Sequence, residues 1–231
     1  MKTIGLIGGM SWESTAEYYR IINEAVREKL GGSHSAKIVM YSVDFEEVRK
    51  WHREGNWVEA TNLMIDAAQK VERGDANFVL ICTNTMHKMA EDVAASINIP
   101  LLHIVDVTAE KIIPFGLKKL GLLGSTFTME EDFYKGRLKE KYGLDVVVPG
   151  EAERKLVDSV IFEELCLGEI KDSSGEQVKA IMKKLVDNGA QGVILGCTEL
   201  PLLIRQKDCL VPLFDTTAIH AKAAVDYALR D

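Results

Sequence analysis

No run of apolar residues in this chain approaches the ~18 needed to cross a bilayer, so no membrane span is expected. Cysteine is scarce: Cys82, Cys166, Cys197 and Cys209 form no CxxC pair. That pattern argues against a disulfide framework or thiolate metal centre and suits free thiols in a cytoplasmic protein. The five histidines form no HExxH pair, so no metal is expected. Neither a GxGxxG turn nor a glycine–lysine phosphate loop is present, which leaves only weak grounds for nucleotide binding. Positive charge is also short. With 28 Lys and Arg against 35 Asp and Glu, the net charge of −7 speaks against nucleic acid or an anionic membrane as partner. It does not exclude a small anionic substrate, because a site uses local donors. The opening segment Met1–Gly9 lacks a signal-peptide core and reads as a strand and its turn.

What the chain does have is 47% hydrophobic residues in 231, enough for a sizeable core. The key stretch is Gly192-Val193-Ile194-Leu195-Gly196-Cys197-Thr198-Glu199. A short apolar run of this kind reads as a buried parallel strand, and residues just past such a strand line the ligand crevice of open α/β sheets. A second copy is Val79-Leu80-Ile81-Cys82-Thr83-Asn84-Thr85. Aligning Val79 with Val193 sets Thr83 opposite Cys197.

In chain order the pattern predicts strands at Ile4–Ile7, Ala36–Val43, Phe78–Cys82 and Pro100–Val105. Helices are expected through about Leu30, over Ala60–Glu72, over Thr85–Ser96 and over Thr108–Ile113, with a helix or loop at Asp44–Arg53. The pattern then restarts. Leu120–Ser125 repeats Ile4–Gly9, Asp145–Val148 repeats the second strand, and helices follow at Val157–Leu165 and Gly175–Val186. After Val193–Leu195, the segment Leu213–Thr217 echoes Ile104–Thr108, and Ala218–Arg230 closes the chain as a helix. Three ordered matches indicate an internal duplication. The fold expected is α/β, with two pseudo-symmetric three-layer αβα domains, mostly parallel sheets and an active-site cleft between the domains. The halves are residues 1–103 plus 214–231, and 104–213.

Two groups facing one carbon from opposite sides suit inversion of a stereocentre: one removes a proton and the other returns it. Cys197 suits the base, with a thiol pKa of ~8.5 that a helix N-terminus would lower. The Thr83 hydroxyl donates acceptably and accepts badly. His87, four residues on, is either its proton relay or an exposed helix histidine. Cys82 is expected in the core, because a one-residue shift would flip it to the other face. Candidate substrate-binding groups are Asn84 and Thr85, Thr198 and Glu199, Met10 and Ser11 at the first strand's end, and their counterparts Ser125, Thr126 and Thr128. Capping of the adjoining helices is the structural alternative for Asn84 and Thr85.

The opening IGLIGGMSWEST with the segments CTNTMH, GCTEL and FDTTAIHA resembles the aspartate/glutamate racemase superfamily along nearly the whole chain. The resemblance implies two α/β domains, a small amino-acid substrate, no cofactor, a cytoplasmic location and a homodimer. It implies that Cys197 is the second-half thiol, which handles the L-face proton, and that Thr83 stands where the family has its first thiol. The position of Cys166 is one where some aspartate racemases carry a lysine; His52 or Arg49 could supply a cation instead. The function expected is a cofactor-independent amino-acid racemase, aspartate or glutamate being favoured, using Thr83 and Cys197. The alternatives are a broad-specificity racemase for neutral amino acids such as homoserine, a decarboxylase or maleate isomerase on the same scaffold, and a catalytically silent amino-acid-binding module.

Overall fold

The structure is a computed structural model that describes residues 1–230. It divides into two units: unit 1 is Met1–Ile104 with the C-terminal segment from His220, and unit 2 is Val105–Ile219.

Unit 1 runs β1 (Ile4–Gly8), α1 (Trp12–Leu30), β2 (Ile38–Ser42), α2 (Phe45–Glu54), α3 (Trp57–Arg73), β3 (Phe78–Ile81) and α4 (Ala90–Ala95). A 3₁₀ turn, Thr85–Met89, joins β3 to α4. The sheet is parallel in the order β2-β1-β3. β1 and β3 are buried along their whole lengths, as strands covered on both faces must be, which is why they read as continuous apolar runs. One core cluster includes Ile7, Val48, Met64, Val79 and Ile81. The other holds Ile4, Leu6, Tyr18, Leu80 and Cys82 together with Ala224 and Val225 of the terminal helix. The successive residues of β3 thus feed two layers, as a period of two requires.

Unit 2 runs α5 (Ile104–Ile112, its first residue the last of unit 1), β4 (Lys119–Gly124), α6 (Thr126–Glu130), α7 (Asp132–Tyr142), β5 (Asp145–Val147), α8 (Glu151–Glu163), α9 (Asp172–Asp187), β6 (Gly192–Gly196), α10 (Leu200–Leu203) and β7 (Leu213–Asp215). Its parallel sheet has the order β5-β4-β6-β7. The last helix, α11 (Thr216–Leu229), begins in unit 2 and continues in unit 1 from His220.

The internal duplication is visible in the register. Ile4 pairs with Phe78 as Leu120 pairs with Gly192. Counting forward from those pairs makes Val79 equivalent to Val193 and Thr83 equivalent to Cys197. The last echo read from the sequence is corrected. Ile104–Thr108 lies in a helix, whereas Leu213–Asp215 is a strand. The true counterparts are Pro100 and Pro212, whose carbonyls accept from Val79 N and Val193 N respectively. The expected strand at Pro100–Val105 reduces to a single bridge between Val79 and Leu101. The half boundary at 214 moves as well: Phe214 and Asp215 pair with β6, which holds them in unit 2. The helices α6 and α7 were not anticipated.

Glycine makes this strand packing possible. A Cβ on Gly124 would sit 2.7 Å from the Gly196 carbonyl oxygen, and one on Gly8 would sit 2.3 Å from Thr15 Cγ2.

Candidate active site

The second strand–turn copy carries the clearest chemistry. β6 delivers Cys197 at its C-terminal end, half-buried. Its Sγ donates to Glu199 Oε2 over 3.0 Å, and Thr198 Oγ1 donates to the same oxygen over 2.7 Å. Glu199 is itself buried, where a carboxylate depends on such donors. Burial, then the Glu199 carboxylate, then Cys166 push the Cys197 thiol well above its ordinary value. The expected lowering of this thiol is therefore overturned for the resting protein. The expected cause is present but outweighed: the Glu199 backbone amide hydrogen-bonds the sulfur and lowers its pKa, while the later amides of α10 are spent within its single turn. Leu200 N donates to the Cys197 carbonyl, Pro201 has no N–H, and Leu202 N donates to the Glu199 carbonyl. The resting sulfur thus keeps its proton and offers it to an adjacent base. Moving that proton to Glu199 leaves the charge of the pair unchanged.

In unit 1, Thr83 follows β3 and is half-buried. Its neighbour Cys82 is fully buried in the core cluster, and burial raises its thiol. Asn84 and Thr85 are buried at the start of the 3₁₀ turn, and Asn84 gives that turn no side-chain cap. His52, on α2, has its pKa pushed down to about 4, by burial first and then by Lys88 and Arg49. The His52 ring lies 5.0 Å from Trp57, and its Nε2 is 3.3 Å from Met86 Sδ. It is neutral at pH 7, so it is not the cation that the sequence suggested. Positive charge at this corner rests on Arg49 and on Lys88, whose Nζ is 4.2 Å from the Trp57 ring centroid.

Several other candidates turn inward. Met10 is buried in the apolar core. Ser11 caps α1 through Ser14 N, and its carbonyl accepts from Thr15 Oγ1. Ser125 caps α6 through Thr128 N, with the two hydroxyl oxygens 3.1 Å apart. Thr128 is fully buried and packs on Gly124 and Gly196. Thr126 N donates to Asp158 Oδ1 at 2.7 Å. The Ser11 and Ser125 side chains shape their turns, and the Thr128 hydroxyl meets Ser125 while its methyl packs on the glycines. Cys166 sits close enough to Cys197 to act on it electrostatically. Met10, Ser11, His52, Thr83, Asn84 and Thr85 belong to unit 1. Ser125, Thr126, Thr128, Cys166, Cys197, Thr198 and Glu199 belong to unit 2, where Cys197, Thr198 and Glu199 share one hydrogen-bonded group. Among the described residues no group of His, Cys, Asp and Glu is arranged to hold a metal ion.

The model of the Asp/Glu/hydantoin racemase family matches residues 7–224. This chain belongs to that family. The racemase is 52% identical to a proposed Asp/Glu racemase from Yersinia pestis, with full coverage of both chains and a TM-score of 0.93. It is 38% identical to an aspartate racemase homologue from Pyrococcus horikoshii OT3, again with full coverage of both, at a TM-score of 0.86. A broad-specificity amino-acid racemase, RacX of Bacillus subtilis, is 23% identical over 96% of each chain. The chain is accordingly an isomerase of the amino-acid racemase class, a class that works without a cofactor. No helix among the described residues of the racemase is long and apolar enough to cross a membrane.

Reading the sequence alone missed four features of this racemase. Lys88 was one residue past the quoted segment CTNTMH. Trp57 packs against His52 from a separate helix, the two rings tilted by 42°. Thr217 places a buried hydroxyl, with no partner among the described residues, just past β7. His87, expected to be exposed or a relay, is buried with both ring nitrogens engaged. Only the Thr217 signal was legible, as a polar residue next to a strand end.

Proposed function

We propose that this racemase interconverts the L- and D-forms of an acidic amino acid, aspartate or glutamate, with Cys197 and Thr83 as the two proton-transfer groups. The carrying observation is the equivalence of Thr83 and Cys197 at the ends of duplicated strands, with Cys197 backed by the buried Glu199 carboxylate.

Glu199 takes the Sγ proton, leaving a thiolate. The thiolate removes the Cα proton of the L-isomer and leaves a carbanion beside the substrate carboxylate. The Thr83 hydroxyl gives its proton to the other face; water reprotonates the Thr83 oxygen, and the hydroxide left behind takes the proton from Glu199, which returns both groups to their starting state. A carbanion is far more basic than an alkoxide, so donation by Thr83 is downhill. Abstraction by the same oxygen is not, because its pKa lies far above neutrality. The equilibrium constant between enantiomers is fixed at unity, so the asymmetry appears as fast entry of the L-isomer and opposed KM and kcat for the D-isomer.

An acidic side chain is supported by Arg49 and Lys88 beside His52. The descriptions of the Yersinia and Pyrococcus relatives point the same way. Cys166, a free cysteine that supplies no cation, and the breadth of RacX favour a second reading, a broad-specificity racemase. The test is Cα–H exchange and racemisation in deuterated water across acidic, hydroxylated and aliphatic amino acids, with Cys197→Ser alongside. Exchange confined to L-aspartate and L-glutamate and lost in Cys197→Ser supports the proposal. Equal rates across the panel select the broad reading. Turnover unchanged by Cys197→Ser overturns thiol chemistry.

A further inference from the structure

The imidazole of His87 is committed on both sides. Nδ1 lies 2.8 Å from the Thr83 carbonyl oxygen, and the Ile104 amide donates to Nε2 at 3.2 Å. A carbonyl only accepts, so Nδ1 carries the proton and Nε2 is the bare acceptor. The ring is neutral and of one tautomer, and a second proton would displace Ile104. Two further histidines face it: His103 with ring centroids 4.6 Å apart and His220 at 5.8 Å. His220 is fixed in turn. Its Nε2 donates to the Leu102 carbonyl at 2.8 Å, and its Nδ1 accepts from Tyr18 OH at 2.9 Å.

These contacts have a topological meaning. Ile104 is the last residue of unit 1 before the chain leaves it, and His220 is the first on its return. Both chain crossings of unit 1 therefore end on the cluster that holds the Thr83 peptide. Apolar packing alone would fill such a space without fixing a carbonyl. A donor and an acceptor at opposite corners of one ring fix both the Thr83–Asn84 peptide plane and the crossing.

We infer that His87 is a positioning residue for Thr83, holding the peptide that aims the Thr83 hydroxyl and tying it to the Ile104 crossing. This rests on the reading of Thr83 as the proton donor. The Thr83 step requires the hydroxyl to be aimed at one face of Cα, and small misplacements of a reacting group are costly.

Two substitutions divide the functions of the ring. In His87→Asn the side-chain amide can stand where Nδ1 stands and still donate to Thr83, while the bond to Ile104 is lost. In His87→Gln the amide oxygen can stand where Nε2 stands and accept from Ile104, while the bond to Thr83 is lost. The measurement is made in deuterated water with L-aspartate. Deuterium entering the recovered L-isomer reports Cys197 alone, and formation of D-isomer reports Thr83. We expect His87→Gln to lower D-isomer formation relative to L-isomer exchange, on the order of a hundredfold, through kcat rather than KM. His87→Asn should keep most of that ratio although its melting temperature also falls. The inference is overturned if the ratio is the same in both variants as in wild type, or if both lose activity only in proportion to lost stability. A wild-type protein that exchanges L-aspartate but whose D-isomer formation survives Thr83→Val would instead remove the reading of Thr83, and this inference with it.

Discussion

Cys197 and Glu199 form a thiol–carboxylate pair, with Sγ donating to Oε2 across 3.0 Å. Such a contact raises the thiol pKa while supplying the base that can take its proton. Replacing Glu199 with Gln should therefore move two readouts in opposite senses. Racemisation should fall on the order of 10²- to 10⁴-fold, the usual contribution of a positioned base. Alkylation of Cys197 by iodoacetamide at neutral pH should speed up, because a neighbouring negative charge has gone. Slower alkylation with unchanged turnover would remove Glu199 from the mechanism.

Thr83→Cys should produce a more symmetric enzyme. A thiol at this position ionises several units below a hydroxyl, so it can abstract as well as donate. Entry of the D-isomer should rise relative to the L-isomer, read as initial rates by polarimetry from each pure enantiomer. Comparable D-isomer rates in the two proteins would mean that residue 83 does not touch the proton.

The strands that carry the site were legible because buried parallel strands must be apolar along their length. Val79–Ile81 and Val193–Leu195 satisfy that rule in equivalent registers. The run Ile104–Val107 misled for the same reason. Three apolar residues around Asp106 fit a short strand and a buried helix equally well, and here they open α5. The prolines at 100 and 212 were the better markers, since each precedes the segment that meets β3 or β6. The direction of the Cys197 shift was not legible, because it depends on Glu199 folding back two residues onto the sulfur. The burial of His87 was not legible either. One of its partners, His220, is distant in sequence and reaches it only through α11.

Gly124→Ala should damage the site through the backbone. The added Cβ would lie 2.7 Å from Gly196 O and 3.1 Å from Gly196 C, and neither can swing away as a side-chain end can. Gly196 precedes Cys197, so β4 and β6 must separate beside the thiol. A loss of about 1–3 kcal/mol in denaturant unfolding is expected, as for other overpacked cores, with activity falling by more than the loss of folded protein explains. Gly136→Ala is the control. Its Cβ meets nothing closer than Asp132 Cβ at 3.5 Å, within α7. It should gain up to about 1 kcal/mol and leave activity alone. Equal behaviour of the two variants would show that crowding at Gly124 is harmless.

Acid should weaken unit 1 through His220. Burial, then the neighbouring His87, push its pKa down to about 3, partly offset by its bond to the Leu102 carbonyl. The folded value lies below the unfolded ~6.5, so the unfolded chain takes up the proton first. The contribution is therefore fully present above pH 6.5 and is lost progressively as pH falls toward 3. By pH 4.5 the loss from this one group is on the order of 3 kcal/mol. His52, held at about 4 by burial with Lys88 and Arg49, adds to the trend in the same direction. Urea midpoints between pH 7 and 4.5 should fall steeply in the wild type. His220→Gln, weaker at pH 7 for want of the Tyr18 and Leu102 bonds, should show a shallower fall. Parallel slopes in the two proteins would place the acid sensitivity on carboxylates instead.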